Sequence, residues 1–118
     1  MAIDPPIVPT SRHSLAVERL RRSVLGGPGQ THPDLRRQVA AYANELWRAG
    51  KTDLPLPDEL RPYLDKVTLA AYKVTDEDVE NLRNGGFSDD EILELTLACA
   101  VGCGLGTLGA GLAVVGEA

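Results

Sequence analysis

Aromatic side chains are scarce, with one Trp, one Phe and three Tyr among 118 residues. The core must therefore be built from Leu, Val and Ala, with Tyr42, Trp47, Tyr63, Tyr72 and Phe87 as isolated bulky members, and such small residues imply close approach of the elements. Cysteine occurs only twice, at Cys99 and Cys103, too few for a disulfide framework, so a reducing cytoplasm is the expected compartment. The N-terminus MAIDPPIVP has neither a basic region nor an apolar stretch, so no secretory signal is expected there. No segment alternates apolar and polar residues with the period of a strand, and no internal repeat is visible. Positive charge is in the minority: the net charge is −5. A nucleic-acid surface would rest on Arg19, Arg21 and Arg22 without interleaved aromatics, against the overall acidity, and none is expected.

Hydrophobic residues at 43% and charged residues at 25% are near the average for globular chains, which excludes a largely disordered polymer. The length allows one domain, burying ~65% of the surface its unfolded chain exposes. Charge is unevenly placed, with eight Lys/Arg against four Asp/Glu up to residue 52 and four against thirteen beyond it. A chain so divided can pair its halves within or between subunits.

The pattern predicts an all-α protein of about five helices. Residues 1–10 contain Pro5, Pro6 and Pro9 and form an extended arm; residues 11–118 form a single helical domain. Ser11 to Leu25 carries a stripe of Ala16, Val17, Leu20 and Val24 and ends at the run Gly26, Gly27, Pro28, Gly29. A second helix starts near Pro33, suited to a first helical position, and runs to Ala49 before Gly50, with Leu35, Val39, Tyr42 and Leu46 inward. The connector from Lys51 to Asp58 holds Pro55 and Pro57. A third helix is expected from about Pro62 to Lys73, with Leu64, Val67, Ala71 and Val74 inward. Thr75 with Asp78, and Ser88 with Glu91, are capping boxes that open the next two helices. Val79 and Leu82 face the core between them, and Asn84, Gly85 and Gly86 end the first of the two.

The acidic groups Asp76, Glu77, Asp78, Glu80 and Asp89, Asp90, Glu91, Glu94 resemble paired catalytic carboxylates only superficially. Acids in a first helical turn complement the helix dipole by ~0.3–1 kcal/mol each, which accounts for most of them.

The most informative stretch is Leu95 to Gly116, which has no charge and six glycines. Glycine costs about 1 kcal/mol relative to alanine inside a helix, so close backbone packing must offset the loss. Ala98, Gly102, Gly106 and Ala110 recur every four residues and make a flat interaction face on which another helix can lie. Val101, Leu105, Leu108 and Leu112 occupy the opposite flank, as in the centre of a bundle or oligomer. The segment would span ~33 Å, enough to cross a bilayer, and a membrane-associated protein is the second alternative reading. Against it stand the Gly and Ala content, the lack of flanking Lys or Arg and the lack of an aromatic belt.

From Leu60 to Val115, about half the chain, the sequence resembles the AhpD-like, carboxymuconolactone-decarboxylase-like superfamily. The resemblance rests on VTLAAYKV, on Thr75, Asp76, Glu77 and Asp78, on the short helix to Gly86, and on Phe87, Ser88, Asp89, Asp90, Glu91 and Ile92. It implies an all-helical subunit of trimers or higher homo-oligomers, in a superfamily that includes thiol peroxidases and lactone decarboxylases. Active members of the peroxidase branch carry Cys-x-x-Cys with His four residues after the second Cys. Here the spacing is Cys-x-x-x-Cys, and the position four after Cys103 is Thr107.

On a regular helix Cβ atoms at i, i+4 lie ~5–6 Å apart, beyond the ~3.5–4.5 Å of a disulfide, so oxidation would need local unwinding. Without a cationic neighbour and in apolar surroundings, Cys99 and Cys103 should have raised pKa values and act as small buried hydrophobes. If the protein is an enzyme, they are the catalytic candidates of a thiol-dependent oxidoreductase or peroxidase, a decarboxylase-like catalyst being the other possibility. His13 and His32 have no ligand-like spacing to them, so no metal and no cofactor is expected. The favoured reading is a non-catalytic subunit that assembles with itself or with another protein.

Overall fold

The computed structural model describes residues 12–114, and the side chains of residues 15–107. The expected arm 1–10, residue 11 and the C-terminal residues from 115 lie outside the described residues, as do the side chains of Leu108, Ala110 and Leu112. Helix α1 runs Arg12–Gly26, α2 Pro33–Ala49, α3 Arg61–Leu69, α4 Asp76–Asn84 and α5 Asp89–Val114; a 3-10 turn, Ala71–Lys73, joins α3 to α4. There is no strand among the described residues. No described helix is long and apolar enough to cross a membrane.

The ends of the helices follow local chemistry. His32 is extended, and its Nδ1 accepts a hydrogen bond from the Asp34 amide at 3.0 Å, with Pro33 opening α2 behind it. Gly50 closes α2 at φ 77°, a left-handed backbone that suits glycine, and its amide donates to the Leu46 carbonyl at 2.8 Å. Both capping boxes form. The Thr75 amide donates to Asp78 Oδ2 at 2.8 Å and the Asp78 amide to Thr75 Oγ1 at 3.3 Å. The Ser88 amide donates to Glu91 Oε1 at 2.9 Å and the Glu91 amide to Ser88 Oγ at 3.1 Å. Lys66 Nζ also donates to Asp78 at 2.8 Å. That ion pair, followed by the Thr75 amide, holds the Asp78 carboxyl below its ordinary range.

α3 departs from the expected span. It stops at Leu69, where Ala70 leaves the helical region at φ −154°, ψ 58°, so Ala71 is exposed rather than inward. Thr68 is the last buried residue of α3 and is fixed to α5. The break beyond it lets Val74 return to the core and leaves Leu69 and Tyr72 in solvent. α1 departs too: Ala16 and Leu20 of its stripe are exposed, because the helix makes its firmest contact at its last turn, through Leu25.

α2 and α5 form the centre of the molecule, and no pair of helices is more closely associated. Val39, Ala43 and Ala98 are fully inaccessible, and α3 adds Leu64 to the same core. At the end of α1 the buried Arg36 donates to the carbonyls of Val24 (2.9 Å), Gly27 (2.5 Å) and Thr31 (3.3 Å). One side chain thus satisfies the loop that the glycines and Pro28 leave without a helical ladder. Glu94 of α5 completes this corner. Its carboxylate accepts from the amides of Gln30 (2.6 Å) and Thr31 (2.8 Å) and from the Thr31 hydroxyl (2.6 Å).

Candidate functional site

The site residues expected from the sequence all belong to α5, but they point in different directions. Ala98 is fully buried, Gly102 is buried and Gly106 is partly buried. A Cβ added at Gly102 would run into the carbonyl of Ala40, and one at Gly106 into Oδ1 of Asn44. Ala40 and Asn44 belong to α2. At Gly102 and Gly106 the small-residue face is thus the seat of α2 of the same chain, and these glycines allow the two helices to meet closely.

Cys99 and Cys103 lie one turn apart on the side of α5 that faces α3 and the far edge of α2. Cys99 is fully buried and within hydrogen-bond distance of Thr68 Oγ1, at 3.1 Å. The Cys103 thiol is partly buried and points at the Ala43 carbonyl, at 3.7 Å. Both are free thiols. Around them runs a line of paired polar groups. Tyr42 donates to Asp65 at 2.6 Å, and the hydroxyls of Tyr63 and Thr96 meet at 2.8 Å. Each of these pairs joins α3 to one of the two central helices, which is a structural use.

The electrostatics of the thiols oppose nucleophilic chemistry. Burial pushes Cys99 up to about 11, and the Thr68 hydrogen bond recovers only part of that, with Cys103 and Asp65 adding to the rise. Burial raises Cys103 as well, against weaker hydrogen bonding from Thr68 and Cys99. A neutral thiol is a poor nucleophile. Thr107, one turn beyond Cys103, is engaged in two hydrogen bonds. Its hydroxyl donates to the Cys103 carbonyl and accepts from Trp47 Nε1, both at 3.0 Å. His32 caps α2, and the side chain of His13 lies outside the described residues. Among the described residues no three His, Cys, Asp or Glu side chains gather as a metal site.

The folded protein should therefore label slowly with a maleimide or disulfide reagent at neutral pH, at a rate that rises steeply once denaturant opens the chain. Fast labelling of the native protein, with peroxide removing two hydrogens reversibly from its mass, would assign the pair a redox role instead.

Arg36 and Glu94 were not expected from the sequence as organising residues. Arg36 could have been found, because it lies three residues before Val39 on the buried face of α2, and a charge on an apolar face needs partners. Glu94 resembles any other acid of a helix start. Comparison with family models, with curated proteins and with solved structures finds no match for this chain.

Proposed function

We propose that the protein is a non-catalytic, AhpD-like helical subunit that works by assembling with copies of itself through the outer face of α5. The observation that carries this reading is Gly104. It is exposed, and a Cβ added there would meet nothing within 4 Å. Its cost to the helix, about 1 kcal/mol, is not offset by packing against any described residue. It continues a stripe of Leu93, Leu97 and Ala100, spaced by four, three and four residues, in which Leu93 is 58% and Leu97 46% exposed. Large apolar residues followed by small ones on one helix face suit a second helix crossing closely at the small end. The resemblance to a superfamily of homo-oligomers supports the same reading. The raised thiol pKa values weigh against the peroxidase alternative, and free thiols suit a reducing compartment such as the cytoplasm.

Sedimentation tests it directly. The wild-type protein should sediment as a dimer or larger at high micromolar concentration, and Leu97→Glu should give a folded monomer, because the exposed position tolerates charge only when nothing covers it. A wild-type monomer under those conditions would overturn the proposal.

A further inference from the structure

A different face of α5 borders a groove of about 950 Å³ between α1, α2 and α5, within the range of about 300–1,000 Å³ common to small-molecule sites. Its apolar part is formed by Leu25, Leu54, Val101 and Leu105, with Gly102 and Gly106, seated against α2, along its wall. Its rim is cationic, with Arg21, Arg37 and Arg48 against the single acid Glu45. At one end it adjoins a smaller cleft of about 320 Å³, which shares Arg21, Leu25 and Arg37 and adds Arg22.

The charges in that cleft are not balanced. Arg21 and Arg22 share one carboxylate, Glu18, at 3.4 and 3.2 Å, and Arg37 holds Asp34 at 2.9 Å. Among the described residues three guanidinium groups thus face two carboxylates, both on the arginines' own helices. Arg48 makes no ion pair among the described residues, and Glu45 accepts from Thr52 at 2.8 Å. A chain of net charge −5 repels anions in general, so a cationic rim over an apolar floor is a local feature that selects its ligand. Arg37 and Arg48 lie eleven residues apart on α2, about 16 Å along the helix, which sets the length of the groove.

We infer that this groove binds a free single-chain amphiphile with an anionic head, a medium-chain fatty carboxylate. The carboxylate sits among Arg21, Arg22 and Arg37, where guanidinium groups can donate paired hydrogen bonds. The alkyl chain lies along Leu25, Val101 and Leu105 towards Arg48. The site is separate from the outer stripe of Leu93, Leu97, Ala100 and Gly104, so occupancy and assembly fail independently.

Calorimetric titration of the full chain with dodecanoate, kept below its micelle concentration, tests the inference, with dodecan-1-ol, dodecyltrimethylammonium and anionic phospholipid vesicles as the other arms. One equivalent of dodecanoate should bind, at least about tenfold more tightly than the alcohol or the cation. Arg37→Glu should weaken it about tenfold, and Ala41→Trp, at an exposed position lining the groove, should abolish it. Both variants should keep the wild-type circular dichroism and sedimentation. If either variant misfolds, Arg21→Glu, in the cleft that takes the head group, should still lower the affinity severalfold. The inference is overturned by an absence of saturable dodecanoate binding, by equal binding of the cation, by uptake seen only on vesicles, or by binding indifferent to all three substitutions. It is equally overturned if Ala41→Trp abolishes self-association while dodecanoate still binds, since a second copy would then be the occupant.

Discussion

Gly102→Ala should destabilise the protein by about 2–3 kcal/mol, a large effect for one methyl group. The added carbon would collide with the carbonyl of Ala40, and the carbonyl carbon and Cα of that residue lie 2.8 Å from it. These are backbone atoms of the neighbouring helix, so relief requires α2 and α5 to separate along their whole contact. Gly106→Ala should cost less, because there the obstacle is the Asn44 side chain, which can swing away. Gly104→Ala meets open space and should gain up to about 1 kcal/mol, best measured in the Leu97→Glu chain so that association does not contribute. Urea unfolding midpoints at constant m-value give the ranking. If Gly102 and Gly104 respond alike, the close packing of α2 on α5 is refuted.

Arg36→Met should cost about 3 kcal/mol, because buried acceptors left without a donor cost ~1–3 kcal/mol each. The methionine can fill most of the volume, but the carbonyls of Val24, Gly27 and Thr31 lose their donor, and Glu94 loses its nearby positive charge. Glu94 adds a pH dependence. Burial pushes its pKa up, but the Thr31 hydroxyl, the Gln30 and Thr31 amides and the Arg36 charge more than reverse this, and the net shift is downward. A carboxyl with a lowered folded pKa contributes stability above its unfolded value, near 4.5, and loses it as the pH falls through the folded value. Glu94→Gln should therefore be less stable than wild type at pH 7, with the gap narrowing below pH 4.5 as the native carboxyl protonates. A gap that does not depend on pH, or an Arg36→Met protein within about 1 kcal/mol of wild type, would show that the corner is held by other contacts.

Helix starts were legible because each is written in a few adjacent residues. His32 with Pro33, Thr75 with Asp78 and Ser88 with Glu91 need no tertiary information. The end of α3 was not legible, since Ala70 is neither glycine nor proline and the break is imposed by what Thr68 and Val74 must reach. For the same reason the stripe on α1 overstated its contact: periodicity shows which side of a helix is apolar, not how much of it is covered. The four-residue spacing of Ala98, Gly102 and Gly106 revealed that a backbone comes close. It could not reveal that the visitor is α2 of the same chain. Burial of Cys99 followed from the uncharged segment around it, whereas Glu94 meets the loop through bonds that link residues up to 64 positions apart, beyond the reach of local pattern.

Those same long-range bonds set an order of events during synthesis. Helix α2 emerges from the ribosome well before α5, on which it chiefly packs, and the loop after α1 receives its Glu94 acceptor only when α5 has been made. Until then Val39, Ala43 and Leu46 form an uncovered apolar strip on a nascent helix, of the kind that holding chaperones recognise. The chain should therefore become resistant to proteolysis only once α5 has been made and has packed on α2.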